Sequence, residues 1–274
     1  MYPKFFKLIA FCAAISFGSC HAVQLNSRHA IVISDDTGKV LLEKSAEAVV
    51  PIASLTKLMT AMVVLDSKPD MAERISVEAA DVDILKHSSS HVPVGTTLPR
   101  KEMLRLALMS SDNRAAASLA RTYPGGNAAF LRAVDEKVKV LGMKSTVIKE
   151  PTGLSPVNTS SAADLARMAA AASHYREIVD ITTDRADLIR MNGRNVTFHN
   201  TNRLVGSPGW DVLLSKTGFT NEAGHCLIMR IQQAGVHLTL VLLNANGNTS
   251  RSIDARQIKQ LLTARTTARP AAKS

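Results

Sequence analysis

Cysteine is nearly missing from this chain: three occur in 274 residues, Cys12, Cys20 and Cys226. The first two fall in a leader-like segment, so one thiol remains and no internal disulfide can form. Cys226 stands beside Leu227 and Ile228 in a strand-like run, which reads as a buried structural thiol rather than a nucleophile. Aromatic residues are scarce at 4%, and the basic residues are scattered, so a net charge of +10 makes no stacking surface for nucleic acid. Beyond residue 22 no run is long and apolar enough to cross a bilayer, and no integral membrane anchor is expected. Metal ligands are thin as well. His87 and His91 are four apart, but Ser88, Ser89, Ser90 and the following Pro93 make that stretch a loop, with no third ligand nearby.

What is present begins with residues 1–22. Lys4 and Lys7 form a basic start, Leu8 to Phe17 an apolar stretch, and Cys20-His21-Ala22 ends in a small residue suited to cleavage. This pattern predicts a secretory signal peptide cleaved after Ala22, too short in its apolar part to anchor permanently. Phe17-Gly18-Ser19 before Cys20 is a poor match for a lipoprotein site. Removing two lysines and no acids leaves a mature charge of 33 − 2 − 23 = +8. Outside the cytoplasm, such a charge suits a polyanionic surface such as cell wall or anionic lipid.

The remaining length allows one large domain or two modest ones. His29–Ser34 and Lys39–Lys44 flank Asp35-Asp36-Thr37-Gly38 and predict an antiparallel hairpin. Glu73–Val77 is a short extended piece, and His87–Pro99 a polar loop. Helical spacing or heavy alanine content covers Lys101–Met109, Asn113–Thr122, Ala128–Leu141 and Ala162–His174. From Asp184 the chain turns extended, with Val212–Ser215, Cys226–Ile231 and Val236–Leu243 rich in Val, Ile and Leu, and Gln233-Ala234-Gly235 a tight turn. Ile253–Leu262 predicts a closing helix, and 264–274 a basic flexible tail. The order is strands, helices, strands, helix. That predicts an α+β fold: one antiparallel sheet lobe (about 23–66 and 183–263) with an inserted all-helical lobe (about 67–182), and a site in the groove between them.

The stretch around which the rest is organised is Pro51-Ile52-Ala53-Ser54-Leu55-Thr56-Lys57-Leu58-Met59. Ser54 to Asp66 reads as one apolar helix broken only by Thr56, Lys57 and Thr60. A helix that apolar belongs inside the protein, where an unpaired lysine is costly. Lys57 lies three residues after Ser54, on the same helical face. A buried amine shifts its pKa down and can then take the proton of a neighbouring hydroxyl, while the helix start favours a developing alkoxide. The same residues also fit a capped core helix with a snorkelling lysine. Two further stretches bear on the choice. Ser110-Ser111-Asp112-Asn113 lies between two helices and offers a hydroxyl and a carboxamide, or a helix cap. Lys216-Thr217-Gly218, at the end of the strand Val212–Ser215, presents a cation and a hydroxyl for a carboxylate, with a glycine that lets backbone approach.

Taken together and in this order, Ser54-x-x-Lys57, Ser111-Asp112-Asn113 and Lys216-Thr217-Gly218 resemble the motif set of the serine penicillin-recognising enzymes. Val92-Pro93-Val94-Gly95, Glu150 to Ser155 and Thr217 to Gly224 resemble segments of one group among them, the D-alanyl-D-alanine endopeptidases of the penicillin-binding protein 7 type. The resemblance covers roughly the whole chain between leader and tail. It implies a β-lactamase/transpeptidase-like fold and a serine D,D-peptidase of the periplasm that needs no cofactor. Peptidoglycan peptide stems would be its substrate, β-lactams its covalent inhibitors, and other cell-wall enzymes conceivable partners. It also implies roles. Ser54 would be acylated, with Lys57 as its base, depressed by burial and by the Lys216 cation, and Ser111 would relay the proton. Asn113, Lys216, Thr217 and Gly218 would bind substrate, and the backbone N–H groups of Ser54 and Phe219 would form the oxyanion hole.

Within the resemblance, class A β-lactamases use an acidic residue to activate water for deacylation, in a segment where Glu-Pro leads two residues later to Leu-Asn. Glu150-Pro151 leads instead to Thr152-Gly153-Leu154-Ser155, so a peptidase is expected. Carboxypeptidases of the group usually add a β-rich domain and an amphipathic anchor. Here 274 − 218 = 56 residues follow Gly218, taken up by two strands, a helix and the basic tail, so cleavage of cross-links is expected over trimming of terminal D-alanine. A wall-binding protein without turnover is the remaining alternative, against which the intact Ser54, Lys57, Ser111, Asn113 and Lys216 argue.

Overall fold

A computed structural model describes residues 24–247 and 249–267; the predicted leader 1–22 and the tail beyond Thr267 lie outside it. β1 (Ser27–Ser34) and β2 (Val40–Lys44) form the predicted hairpin. A two-residue β3 (Val50–Pro51) and a 3-10 turn, Ala53–Leu55, lead into α1 (Thr56–Asp66). β4 (Arg74–Ser76) pairs with β5 (Thr97–Pro99) across the long polar loop. Then come α2 (Arg100–Met109), α3 (Asn113–Arg121) and α4 (Gly126–Val140), followed by β6 (Thr159–Ser160), which pairs with β3. α5 (Ala162–Ala172) and α6 (Arg176–Thr183) complete the helical block. The chain ends through β7 (Ala186–Met191), β8 (Arg194–His199), β9 (Asp211–Thr220), β10 (Gly224–Gln233), β11 (Val236–Ala245) and α7 (Ser250–Thr267).

The main sheet is antiparallel, in the order β2-β1-β11-β10-β9, so the first hairpin does join the last strands. Period-two alternation gives it two buried faces. Ile31, Ile228, Val241 and Leu243 belong to one core with the helical block, while Ala30, Val32, Leu227, Met229, Leu240 and Leu242 pack with Ala255 and Ile258 of α7. Asp254 of α7 ties the two chain ends together. Its carboxylate is fully buried and accepts from the backbone N–H and side chains of Asn26 and Ser27 at 2.6–2.9 Å.

α1 explains its own composition. Every residue from Thr56 to Val64 is buried, because α2, α3, α4, α5 and α6 all pack around it. A helix apolar on all sides is what such a central position requires. Four parts of the fold differ from expectation. α6 and the separate hairpin β7–β8 were not resolved in the sequence pattern. β9 runs through Lys216-Thr217-Gly218 rather than ending before it. α7 spans Ser250–Thr267, longer at both ends than Ile253–Leu262, so the segment read as a loose tail begins in helix.

Candidate active site

Ser54 sits in the 3-10 turn that feeds α1, half-buried and without a side-chain capping bond, so its hydroxyl is not engaged as the helix cap. Ala53 before it is held at φ 48°, a left-handed conformation that costs a non-glycine residue about 1 kcal/mol. Two glycines press on this turn. A Cβ on Gly153 would stand 1.9 Å from the Ala53 carbonyl oxygen, and one on Gly218 would stand 3.1 Å from Ser54 N. Backbone from the 150–155 loop and from β9 thus clamps the serine from two sides.

Lys57 is 1% exposed. Its Nζ lies 2.9 Å from Ser54 Oγ, 2.7 Å from Asn113 Oδ1 and 2.7 Å from the Thr152 carbonyl. Burial pulls the amine down to about 8, against the opposing pull of the Glu150 and Asp112 carboxylates. Burial is the largest cause at Lys57, and the repulsion between the two lysines adds to the burial that lowers Lys216. Lys216, on β9, is also 1% exposed. It donates to Ser111 Oγ and to the Thr217 carbonyl, each at 2.9 Å. Burial, then Lys57 and Arg251, hold it well below the usual lysine value.

Ser111 and Asn113 reach these amines from the turn between α2 and α3. Ser111 is in the left-handed region at φ 62°. Asp112 caps α3 by accepting from Ala115 N at 2.9 Å, and Ser90 donates to its other oxygen at 2.7 Å. Asn113 is fixed at both ends, its Nδ2 donating to Ser88 Oγ at 2.9 Å while Oδ1 faces Lys57. The structure therefore joins Ser54 and Asn113 through Lys57 and joins Ser111 to Lys216, with the two lysines close enough for their charges to interact. Thr217 is turned to Thr201, Oγ1 to Oγ1 at 2.6 Å. Phe219 follows on β9, the edge strand of the sheet.

Several contributors went unread in the sequence. Ser88 and Ser90 stand in the sequence as a spacer between His87 and His91, yet Ser88 accepts from Asn113 and Ser90 donates to Asp112. Lys86 in the same loop pairs with Glu222 beyond β9, tying the helical block to the sheet across the groove. Arg251 of α7 donates to the Gly218 carbonyl at 3.2 Å and has no carboxylate partner among the described residues. A polar cavity of about 180 Å³ opens beside it, lined also by Thr201, Arg203 and Thr249. Glu150 does have an asparagine partner, contrary to expectation. Asn158 Nδ2 donates to it at 2.9 Å, and Thr152 N, Thr152 Oγ1 and Gly153 N donate at 2.5–2.7 Å. The carboxylate is thereby spent on holding its own loop. Cys226 is buried, its thiol pushed up to about 11 by burial.

The profile of the D-alanyl-D-alanine carboxypeptidase family, peptidase S11, matches residues 17–247. The chain is 46% identical over 252 residues to a D-alanyl-D-alanine endopeptidase of Pseudomonas aeruginosa, covering 91% of this chain and 81% of that one. It is 42% identical over 238 residues to the D-alanyl-D-alanine endopeptidase of Escherichia coli, covering 86% and 77%. Among solved structures, the Streptomyces K15 DD-transpeptidase superposes with a TM-score of 0.81 at 25% identity, covering 88% of this chain and 98% of that one. Penicillin-binding protein D2 from Listeria monocytogenes, in its cefotaxime-bound form, superposes with a TM-score of 0.78 at 26% identity and the same coverage.

Proposed function

The chain belongs to the D-alanyl-D-alanine carboxypeptidase family, peptidase S11, and from that membership we propose that it is a serine D,D-peptidase that hydrolyses D-alanyl cross-links between peptidoglycan stems. The observation that carries the mechanism is the surroundings of Lys57. Asn113 Oδ1 and the Thr152 carbonyl can only accept. A neutral Lys57 amine keeps two hydrogens, and those two acceptors take both. Its lone pair is then left facing Ser54 Oγ, 2.9 Å away. The base is aimed by its neighbours.

Ser54 Oγ attacks the D-alanyl carbonyl as its proton passes to Lys57. The oxyanion forms against the backbone N–H groups of Ser54 and Phe219, where developing charge is best stabilised. The leaving amine receives a proton through Ser111, whose hydroxyl Lys216 orients, and Asn113 binds a substrate amide. The residue on the leaving side bears a free carboxylate, which Lys216, Thr217 and Arg251 attract. Water then releases the acyl group, with Glu150 taking no part because its loop holds it. The groove for this substrate lies between a sheet lobe, 23–66 with 183–263, and a helical lobe, 67–182. β-Lactams, which mimic the D-alanyl-D-alanine end, acylate the same serine. The reading of 1–22 as a signal peptide places the enzyme in the periplasm; among the described residues no helix is long and apolar enough to cross a membrane.

Preference for cross-links is supported by the endopeptidase relatives at 46% and 42% identity, against 32% for a Bacillus subtilis carboxypeptidase. Digestion of purified peptidoglycan, with products identified by chromatography and mass, tests it. Cross-linked dimers are expected to fall to monomers with little loss of terminal D-alanine from pentapeptides. Free D-alanine with dimers intact would replace the proposal by a carboxypeptidase, and sacculus binding without any product by a non-catalytic wall protein.

A further inference from the structure

Arg251 approaches the site with one nitrogen doing two things: Nη1 lies 3.2 Å from the Gly218 carbonyl and 3.2 Å from His225 Nδ1. A guanidinium only donates, so Nδ1 must accept, which requires a neutral imidazole with its proton on Nε2. The ring itself has little freedom. His225 faces Phe219 across the β9–β10 register, and the two rings stack with centroids 4.3 Å apart and 22° between planes. Beyond the guanidinium lies the cavity of about 180 Å³ shared with Thr201 and Arg203.

We propose that His225 is a positioning residue that holds Arg251 toward the substrate carboxylate and lets go of it when protonated. The inference rests on the peptidase reading above and adds to it the group that aims the carboxylate anchor and a pH at which the aim fails. Protonation would put a hydrogen on Nδ1, removing the acceptor and setting two cations face to face. The charged and titratable neighbours offer no relief. From β9, Lys216 is a second amine under the influence of Arg251. On β10, Cys226 is a buried neutral thiol. On α7, the nearest acid is Asp254, whose oxygens are turned to Asn26 and Ser27. Burial and Arg251 together hold the imidazole below the ordinary histidine value of 6.5. The arginine is therefore held at neutral pH and released as pH falls below that value. A substrate carboxylate stays ionised through the same range, since its own pKa is about 3.5.

The test measures binding without turnover. Ser54→Ala protein is titrated calorimetrically with a cross-linked stem-peptide dimer at about pH 7.5 and about pH 5, which bracket the histidine. Affinity is expected to fall about tenfold at the lower pH. Adding His225→Asn places Oδ1 where Nδ1 stood, without a titration, and should keep the tight binding at both pH values. Adding His225→Phe keeps the ring stack but lacks the acceptor, and should bind weakly at both. The inference is overturned if His225→Asn retains the full pH dependence, or if His225→Phe binds as tightly as its parent. If His225→Phe does not fold, the Asn comparison decides alone. A dimer that fails to bind Ser54→Ala protein at either pH contradicts the peptidase reading itself, and the inference falls with it.

Discussion

Acylation should climb with pH because the base must be neutral to act, and burial sets where it becomes so. With Lys57 at about 8, half of the amine is neutral at that pH, about one-tenth one unit lower and about one-hundredth two units lower. An ordinary solvated lysine would be neutral at only about one part in 2,500 at pH 7. The desolvated helix position therefore raises the competent fraction by about two orders of magnitude at neutral pH, within the range that general-base catalysis typically contributes. The assay is the second-order rate of acylation by a chromogenic β-lactam, followed by stopped flow at fixed ionic strength between about pH 5.5 and 9. The logarithm of the rate should rise with a slope near one and level off around the Lys57 value. Lys57→Arg keeps charge and length but does not deprotonate in this range, and should acylate about 10²–10⁴-fold more slowly while melting close to the wild type. A flat or falling profile below pH 8, or near-normal acylation by the arginine variant, would refute Lys57 as the base.

Three other outcomes follow from packing. Gly153→Ala places a methyl 1.9 Å from the Ala53 carbonyl oxygen at a φ of +84°; it should cost about 2–3 kcal/mol in denaturant melts and displace the serine turn, lowering acylation as well. Asp254→Ala strands four donors from Asn26 and Ser27 and should lower stability by about 3 kcal/mol, with the Ser54 labelling rate of the folded fraction unchanged. Cys226, buried and held at about 11, should resist iodoacetamide in the native protein and react only after unfolding, as read by mass.

The parts of this fold that were legible are those in which one physical demand dominates. α1 announced itself because a helix packed on all sides must be apolar throughout, which left Lys57 conspicuous beside Ser54. The strands β1, β10 and β11 are buried on both faces and read as continuous Val, Ile and Leu runs. β9 was cut short at Ser215 because Lys216 and Thr217 break such a run, and they are buried only because the site uses them. The β7–β8 hairpin was missed for the opposite reason. It carries Arg190, Arg194 and Asn195 on exposed positions and packs one face only. The backbone turns at Ala53 and Ser111 have positive φ without glycine, so composition gives no sign of them. Arg251, Ser88 and Asn158 reach the site or its loop from positions whose local pattern is that of an ordinary helix start or polar loop. Only the folded topology converges them.

The account turns on Ser54 as the atom that becomes acylated, and one measurement addresses it directly. The protein is incubated with benzylpenicillin, its intact mass is recorded, and the peptides of a digest are mapped. The expected result is one covalent adduct per chain, found on the peptide carrying Ser54 and absent from Ser54→Ala protein of unchanged thermal stability. An adduct on Ser111 or Cys226, or one that persists when Ser54 is alanine, would contradict it.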